Sequence, residues 1–152
     1  MAVLREDRPY VQFNFLVDVK DDSMNPKSFT GGFQEVSGIG TEVTVAEYRT
    51  GSDPENSVRK ITGLNKASDV TLKRGVIGAL GLYNWINEVR NGNQKAYRDV
   101  TVTLLSEDHN PVMTWLLIRA RPIKVTYGGF NAKGTDVAME EMVLAYERLV
   151  VE

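Results

Sequence analysis

The sequence contains no cysteine and a single histidine among its 152 residues. The absence of cysteine excludes disulfide bridges, thiolate metal sites and cysteine nucleophiles. His109 lies between Asp108 and Asn110 in a turn sequence, where a general base would need both an orienting partner and a pocket. We therefore interpret His109 as a solvated turn residue and predict no catalytic residue in the chain.

Motifs for metal or nucleotide binding are also missing. The acidic pairs Asp53/Glu55 and Glu140/Glu141 lack the calcium-loop pattern, and adjacent glutamates on a strand face opposite sides. Gly38–Gly40 is not followed by the Lys-Ser or Lys-Thr of a phosphate loop. We predict no metal site and no cofactor. A carboxylate enzyme stays open as an alternative only if acids with raised pKa values converge in a cleft.

The chain has little net charge and no long hydrophobic run. Its 18 Lys and Arg residues face 20 Asp and Glu residues, a formal charge of -2, which argues against binding nucleic acid by bulk charge. No segment approaches the ~18 apolar residues of a membrane span, and the charged residues 1–10 do not form a secretory signal. We expect no stable membrane insertion and, if the protein leaves the cell, exit by lysis or a dedicated machine.

The hydrophobic residues, 42% of the chain, follow mainly a β-pattern. Alternation over residues 11–20 predicts a half-buried strand with Phe13 and Phe15 on its core face. A second strand over residues 31–49 is broken by the glycines of Ser37–Gly40. Further strands are predicted over residues 59–64, 68–73, 100–104, 112–119, 123–127 and 136–151.

One helix interrupts these strands, predicted over residues 76–91. Its apolar residues recur at helical spacing, and Asn91-Gly92 is a typical helix stop. The stripe consists of Val76, Ala79, Leu82, Tyr83, Ile86 and Val89. The order of elements predicts one domain over residues 1–152, mainly β with one α-helix: a two-layer antiparallel β-sandwich or open barrel with the helix outside.

Five short blocks occur in an order typical of one kind of protein. They are Phe33–Ile39, Glu47–Gly51, Thr71–Val76, Leu82–Ile86 and Val137–Leu144. In this order they resemble the tube proteins of contractile phage tails, and most closely the inner tube proteins of extracellular, phage-tail-like contractile injection systems. The tube protein of type VI secretion shares that plan.

The resemblance implies a structural subunit without enzymatic activity. Six copies would form a ring whose joined sheets make one large β-barrel, which would close the sheet edges that a lone β-domain must hide. Stacked rings would form a rigid conduit that the contracting sheath drives through a target envelope. The implied partners are the sheath protein, baseplate initiator proteins, a tape-measure protein and a terminal cap. The cargo would be luminal protein effectors or, in a phage virion, DNA. The particle would assemble in the cytoplasm of the producing cell and would be released by lysis or anchored to a membrane.

A small ligand-binding β-domain that does not polymerise remains the alternative, and a closed apolar pocket would favour it. For the tube, the long polar loop at residues 50–60 is the predicted contact with the next ring, and the N-terminal arm, residues 1–9, is a second candidate. The predicted inter-ring residues are Thr50, Gly51, Ser52, Asp53, Glu55, Arg59 and Lys60.

Contacts with a neighbouring subunit or with the sheath are predicted around the helix. Basic side chains there could pair with an acidic neighbour. Trp85 fits a core position and an exposed anchor equally well. The predicted residues are Lys73, Arg74, Trp85 and Arg90.

Overall fold

A computed structural model describes residues 2–19, 32–78 and 80–152. Met1, residues 20–31 and Ala79 lie outside these ranges, and with them the last residue of the first predicted strand and the first of the second. The strands are β1 (Phe15–Val19), β2 (Phe33–Ser37), β3 (Thr41–Tyr48), β4 (Arg59–Ala67), β5 (Val70–Gly75), β6 (Arg98–Leu105), β7 (Pro111–Tyr127), β8 (Met139–Ala145) and β9 (Arg148–Val151), and the helix α1 is Gly81–Arg90.

The main sheet is antiparallel and runs in the order β1-β6-β7-β8-β5-β2, with β9 also paired to β7. Strand β7 is shared by two halves: its first part pairs with β6 and β9, and its second part pairs with β8. The two parts meet near Arg119, a non-glycine residue with φ of 55°. The strands predicted over residues 112–119 and 123–127 are thus one bent strand, and the predicted mainly-β, antiparallel class with one helix is confirmed.

Both halves of the sheet contribute to one hydrophobic core. Val17, Val100 and Leu117 from one half and Leu72 and Leu144 from the other are at most 2% exposed and belong to a single cluster. This shared core is what holds the bent sheet together, because burial of apolar surface is the main favourable term in folding.

The core position predicted for Phe13 is wrong. Strand β1 begins at Phe15, so residues 11–14 precede the ladder, and the Phe13 side chain is 68% exposed. Phe15, the first residue of the strand, does pack against the core cluster.

Helix α1 packs on β7 and buries Leu82 and Trp85. It begins later than predicted, because the Val76 amide still donates to Ala138 O at 2.8 Å and extends the pairing of β5 with β8 by one residue. The predicted stop is confirmed: Gly92 has φ of 83°, a conformation that favours glycine.

The break predicted at Ser37–Gly40 is confirmed, since β2 ends at Ser37 and β3 begins at Thr41. The closing segment, predicted as one strand, forms β8 and β9, separated by Tyr146 and Glu147. In the described part of the chain, no helix has the length and apolar character needed to cross a membrane.

Candidate functional site

The most conspicuous surface is a β-hairpin formed by β3 and β4, which make a two-stranded sheet of their own. Every residue of β3 is exposed, and so is every residue of β4 except Ala67, which is partly buried. The eight residues of β3 give an arm roughly 27 Å long, compared with a radius of gyration near 15 Å expected for a domain of this size. The hairpin is therefore long enough to reach a neighbouring molecule.

The hairpin carries apolar side chains that the protomer does not cover. They are between 44% and 83% exposed: Val43, Val45, Tyr48, Val58, Ile61 and Leu64. Exposed apolar groups on a strand pair with open edges are a template for pairing with another chain, so this surface is suited to contact with a partner.

The hairpin tip is held in a defined conformation by arginine side chains. The Arg49 guanidinium donates to the carbonyl oxygens of Glu55 at 3.2 Å and Asp53 at 3.3 Å. The Asp53 carboxylate lies 3.5 Å from the Arg59 guanidinium, and the Asp53 amide donates to Thr50 O at 3.1 Å. The tip is thus preorganised, which lowers the entropic cost of binding.

All seven residues predicted for the inter-ring contact lie at this end of the hairpin. Thr50, Gly51, Ser52, Asp53 and Glu55 belong to the tip, and Arg59 and Lys60 are the first residues of β4. The loop itself is therefore shorter than the predicted range of residues 50–60. Lys60 lies opposite Glu47 across the strand pair, so opposite charges face each other along the arm.

The hairpin joins the body of the domain at a narrow joint. Gly38 has φ of 91°, and a Cβ atom there would lie 2.4 Å from Asp69 O, so this position requires glycine. The Ser68 amide donates to Gly40 O at 3.1 Å. The Tyr146 hydroxyl donates to the same oxygen at 2.9 Å and accepts from the Gly40 amide at 3.3 Å.

Two of the residues predicted to contact a neighbouring subunit or the sheath are instead buried within the protomer. Arg74 is 2% exposed and pairs with Glu140, and Trp85 is fully buried with its Nε1 donating to Ala96 O at 2.7 Å. As surface contacts these two predictions are wrong, because the side chains are enclosed by the protomer's own fold.

The other two predicted contact residues reach the surface. The Lys73 ammonium lies 3.5 Å from the Glu35 carboxylate, and the Arg90 guanidinium donates to the Tyr83 hydroxyl at 3.1 Å. Arg90 also lies over the Tyr83 ring, 5.6 Å from its centroid. The structure does not bring Lys73 and Arg90 together with the hairpin tip into one site.

The N-terminal arm is attached to the turn between β6 and β7. Arg5 donates two hydrogen bonds to the Glu107 carboxylate, at 2.8 and 3.2 Å, and its guanidinium lies 4.6 Å from the centroid of the Tyr10 ring. The Val3 amide donates to Val112 O at 2.8 Å. The hydrogen bond from Arg5 lowers the pKa of Glu107 to about 2.

An open groove of about 750 Å³ lies between β1 and β2, where the ends of the sheet path face each other. Its walls include Phe13, Phe15, Val36, Ile39 and Trp115. The groove is open to solvent and is therefore not the closed apolar pocket that would favour a ligand-binding domain. Among the described residues, no group of three or more His, Asp or Glu side chains could hold a metal ion.

A model of the T4-like virus tail tube protein gp19 family matches residues 11–150. The chain belongs to this tail tube family. As a tail tube protein it is a structural subunit of the tube of a phage tail or phage-tail-like particle. No curated protein sequence matches the chain.

Solved structures of injection systems contain similar chains. One is in the anti-feeding prophage baseplate, with 26% identity, a TM-score of 0.84 and 97% of each chain covered. Another is in the sheath-tube complex of PVC, an extracellular contractile injection system, in its extended state, with 28% identity, a TM-score of 0.81 and coverage of 96% of this chain and 93% of that one.

The fold extends to more distant proteins. Hcp1 from Flavobacterium johnsoniae matches 90% of this chain and 93% of its own with a TM-score of 0.55, at 12% identity. At that identity the likeness concerns the fold alone. The resemblance to contractile tail tube proteins that the five sequence blocks indicate is confirmed.

Proposed function

We propose that this tail tube protein forms hexameric rings that stack into the inner tube of a contractile injection system of the anti-feeding prophage and PVC kind. The tube is a passive conduit that acts without catalysis. Sheath contraction drives it through a target envelope, and cargo travels in the lumen. The likeness to the baseplate and sheath-tube chains supports this choice, since each covers more than nine-tenths of the protein.

The observation that carries the proposal is the β3–β4 hairpin. Its strands have open outer edges and exposed apolar side chains such as Val45 and Ile61, and a protomer alone gives them no cover. A second copy in the tube covers that surface and pairs with open sheet edges, as edge strands in closed assemblies do. The preorganised tip, residues 49–58, is the contact with the next ring.

Other partners follow from the same assembly. The sheath protein surrounds the tube, baseplate proteins start it, a tape-measure protein sets its length and a cap ends it. Assembly takes place in the cytoplasm of the producing cell, and the finished particle is released or anchored. The cargo in the lumen is protein in an injection system and DNA in a phage.

The test is removal of the tip, residues 52–56, followed by electron microscopy of the full-length protein under conditions in which the unaltered chain forms tubes. We expect the deletion to abolish stacking while the protomer stays folded. Removal of residues 129–133 from the exposed β7–β8 connection shortens another surface loop by the same length and is the matched control. Tubes of normal length and yield from the tip deletion would show that the tip is not the contact between rings.

A further inference from the structure

We infer that Tyr146 is a positioning residue that sets the direction in which the β3–β4 hairpin leaves the body, and that this direction controls how efficiently copies join. The inference rests on the proposed function, because it assumes that the hairpin contacts another copy. It concerns a residue outside the hairpin and outside every contact predicted from the sequence.

The hairpin continues the β2–β5 strand pair, but the pairing is interrupted at the joint. Ser37 is the last β2 residue paired with β5, opposite Thr71, and Thr41 is the first β3 residue paired with β4, opposite Ala67. Between these pairs the chain turns through Gly38, whose φ is 91°. An interrupted two-stranded ribbon has little stiffness of its own, since an isolated hairpin is only marginally stable.

Tyr146 adds a second restraint to the backbone hydrogen bond from the Ser68 amide to Gly40 O, and it does so from the junction between β8 and β9. Tyr146 is 8% exposed and belongs to the core cluster. In the chain it lies between the end of β8 and the start of β9. Its hydroxyl both donates to Gly40 O and accepts from Gly40 N, at 2.9 and 3.3 Å. One buried side chain therefore fixes the peptide groups on both sides of the Gly40 Cα atom.

A small rotation at this joint has a large effect at the tip. With an arm of roughly 27 Å, a rotation of about 10° displaces the tip by about 5 Å. Hydrogen bonds weaken over a few tenths of an ångström beyond about 3.2 Å. Contacts made by the tip on another copy therefore depend on the restraint at Gly40.

The substitution Tyr146→Phe tests this with little change in packing, since it removes the hydroxyl and keeps the ring. The chain has no cysteine, so cysteines introduced at Ser52 in the tip and Gln94 after α1 can carry two spin labels in an otherwise unlabelled protein. Double electron–electron resonance then gives the distribution of tip-to-body distances. We expect a narrow distribution for the parent protein and a distribution at least about twice as wide for Tyr146→Phe.

Three further measurements make the test specific. Tyr127→Phe removes a hydroxyl from a Tyr side chain that is 47% exposed and should leave the distance distribution unchanged. Gly38→Ala disturbs the joint from the opposite side and should widen the distribution, which provides a second variant if Tyr146→Phe fails to fold. The melting temperature of Tyr146→Phe should fall by about 4–8 °C, the shift expected in a domain of this size when the two hydrogen bonds of the hydroxyl are lost.

Assembly is measured on the same variants without labels. We expect the concentration needed for tube formation to rise at least tenfold for Tyr146→Phe and to stay at the parent value for Tyr127→Phe. A narrow distribution for Tyr146→Phe, or a broad one with unchanged assembly, overturns the inference. Deletion of residues 52–56 tests the proposed function independently of Tyr146. If that deletion leaves tube formation intact, the proposed function is wrong.

Discussion

Arg74 on β5 and Glu140 on β8 occupy directly opposed positions in the antiparallel ladder, and their side chains form an ion pair that is 2% and 4% exposed. The Arg74 guanidinium also lies over the Phe33 ring, 5.5 Å from its centroid. Three neighbouring strands, β2, β5 and β8, thus meet at one buried charge pair. The pair requires the observed register, because a shift of one strand by one residue would place the two charges on opposite faces of the sheet.

Removing one member of this pair is expected to be costly. Glu140→Gln removes the carboxylate that pairs with the buried Arg74 guanidinium across the ladder and should reduce the free energy of unfolding by ~3–5 kcal/mol. Urea denaturation of the purified protomer measures the change. The control is Glu35→Gln, which removes a carboxylate 3.5 Å from Lys73 at the surface and should cost less than ~1 kcal/mol.

The double substitution Arg74→Met with Glu140→Leu separates charge from packing. With both charges replaced by apolar side chains, we expect a stability within ~1–2 kcal/mol of the parent protein, because the desolvation cost of the buried pair is removed together with its attraction. A double variant as unstable as Glu140→Gln would contradict this explanation and would assign the loss to side-chain volume.

The N-terminal arm should detach in acid. The pKa of Glu107 is lowered to about 2 from its ordinary value of 4.5 by the hydrogen bond from Arg5. A lowered pKa means that this contact stabilises the folded arm fully above pH 4.5 and loses its effect as the pH falls from about 4.5 towards 2. Hydrogen exchange at the Val3 amide, compared with the rate of an unstructured peptide at each pH, should lose its protection over that window.

A matched pair of substitutions checks the same contact at neutral pH. Glu107→Gln keeps the side-chain shape but removes the charge, and should lower the protection of the Val3 amide at pH 7. Glu6→Gln removes a charge from the arm itself and should leave the protection unchanged. Equal protection in both variants would show that Arg5 and Glu107 do not hold the arm.

Gly38 should not tolerate a side chain. Alanine at this position combines φ of 91° with a Cβ atom 2.4 Å from Asp69 O, so we expect a loss of ~1–3 kcal/mol in the free energy of unfolding. Gly129→Ala is the control, because nothing lies within 4 Å of a Cβ atom there. Chemical denaturation of the two variants compares them, and equal stability would contradict the strain assigned to Gly38.

Arg49 should matter for assembly more than for folding. Arg49→Ala removes the hydrogen bonds to the carbonyl oxygens of Asp53 and Glu55 and should make the tip mobile. Because the tip is exposed, we expect the melting temperature to change by less than about 2 °C while tube formation falls at least tenfold. Arg148→Ala removes an exposed charge on β9 as a control. A stable variant that assembles like the parent would show that tip order is unimportant.

The predictable parts of the fold depend on local patterns. Gly38 marks the break before the hairpin, and Asn91-Gly92 marks the end of the helix, because the positive φ of both glycines is a backbone conformation that favours glycine. The loop at the hairpin tip is also predictable, because its turn residues and its length can be read from the sequence. The family was identifiable because several blocks occur together in one order.

The remaining features depend on long-range register. Arg5 and Glu107 are 102 residues apart, and Tyr146 reaches Gly40 across 106 residues, so no local pattern indicates either contact. Arg74 has the sequence character of a surface residue, and only the register of β5 against β8 brings Glu140 to it. Whether Trp85 lies in the core or at the surface depends on which face of α1 packs on β7, and this packing is not visible in the sequence.

The most direct test of the account is electron cryomicroscopy of polymers formed by the purified full-length chain, with sedimentation velocity on the same samples. We predict sixfold rings stacked into a hollow tube, with each β3–β4 hairpin lying on a different copy and its tip between successive rings. Particles that remain single protomers at every concentration, or polymers in which the hairpin contacts no other copy, would contradict it.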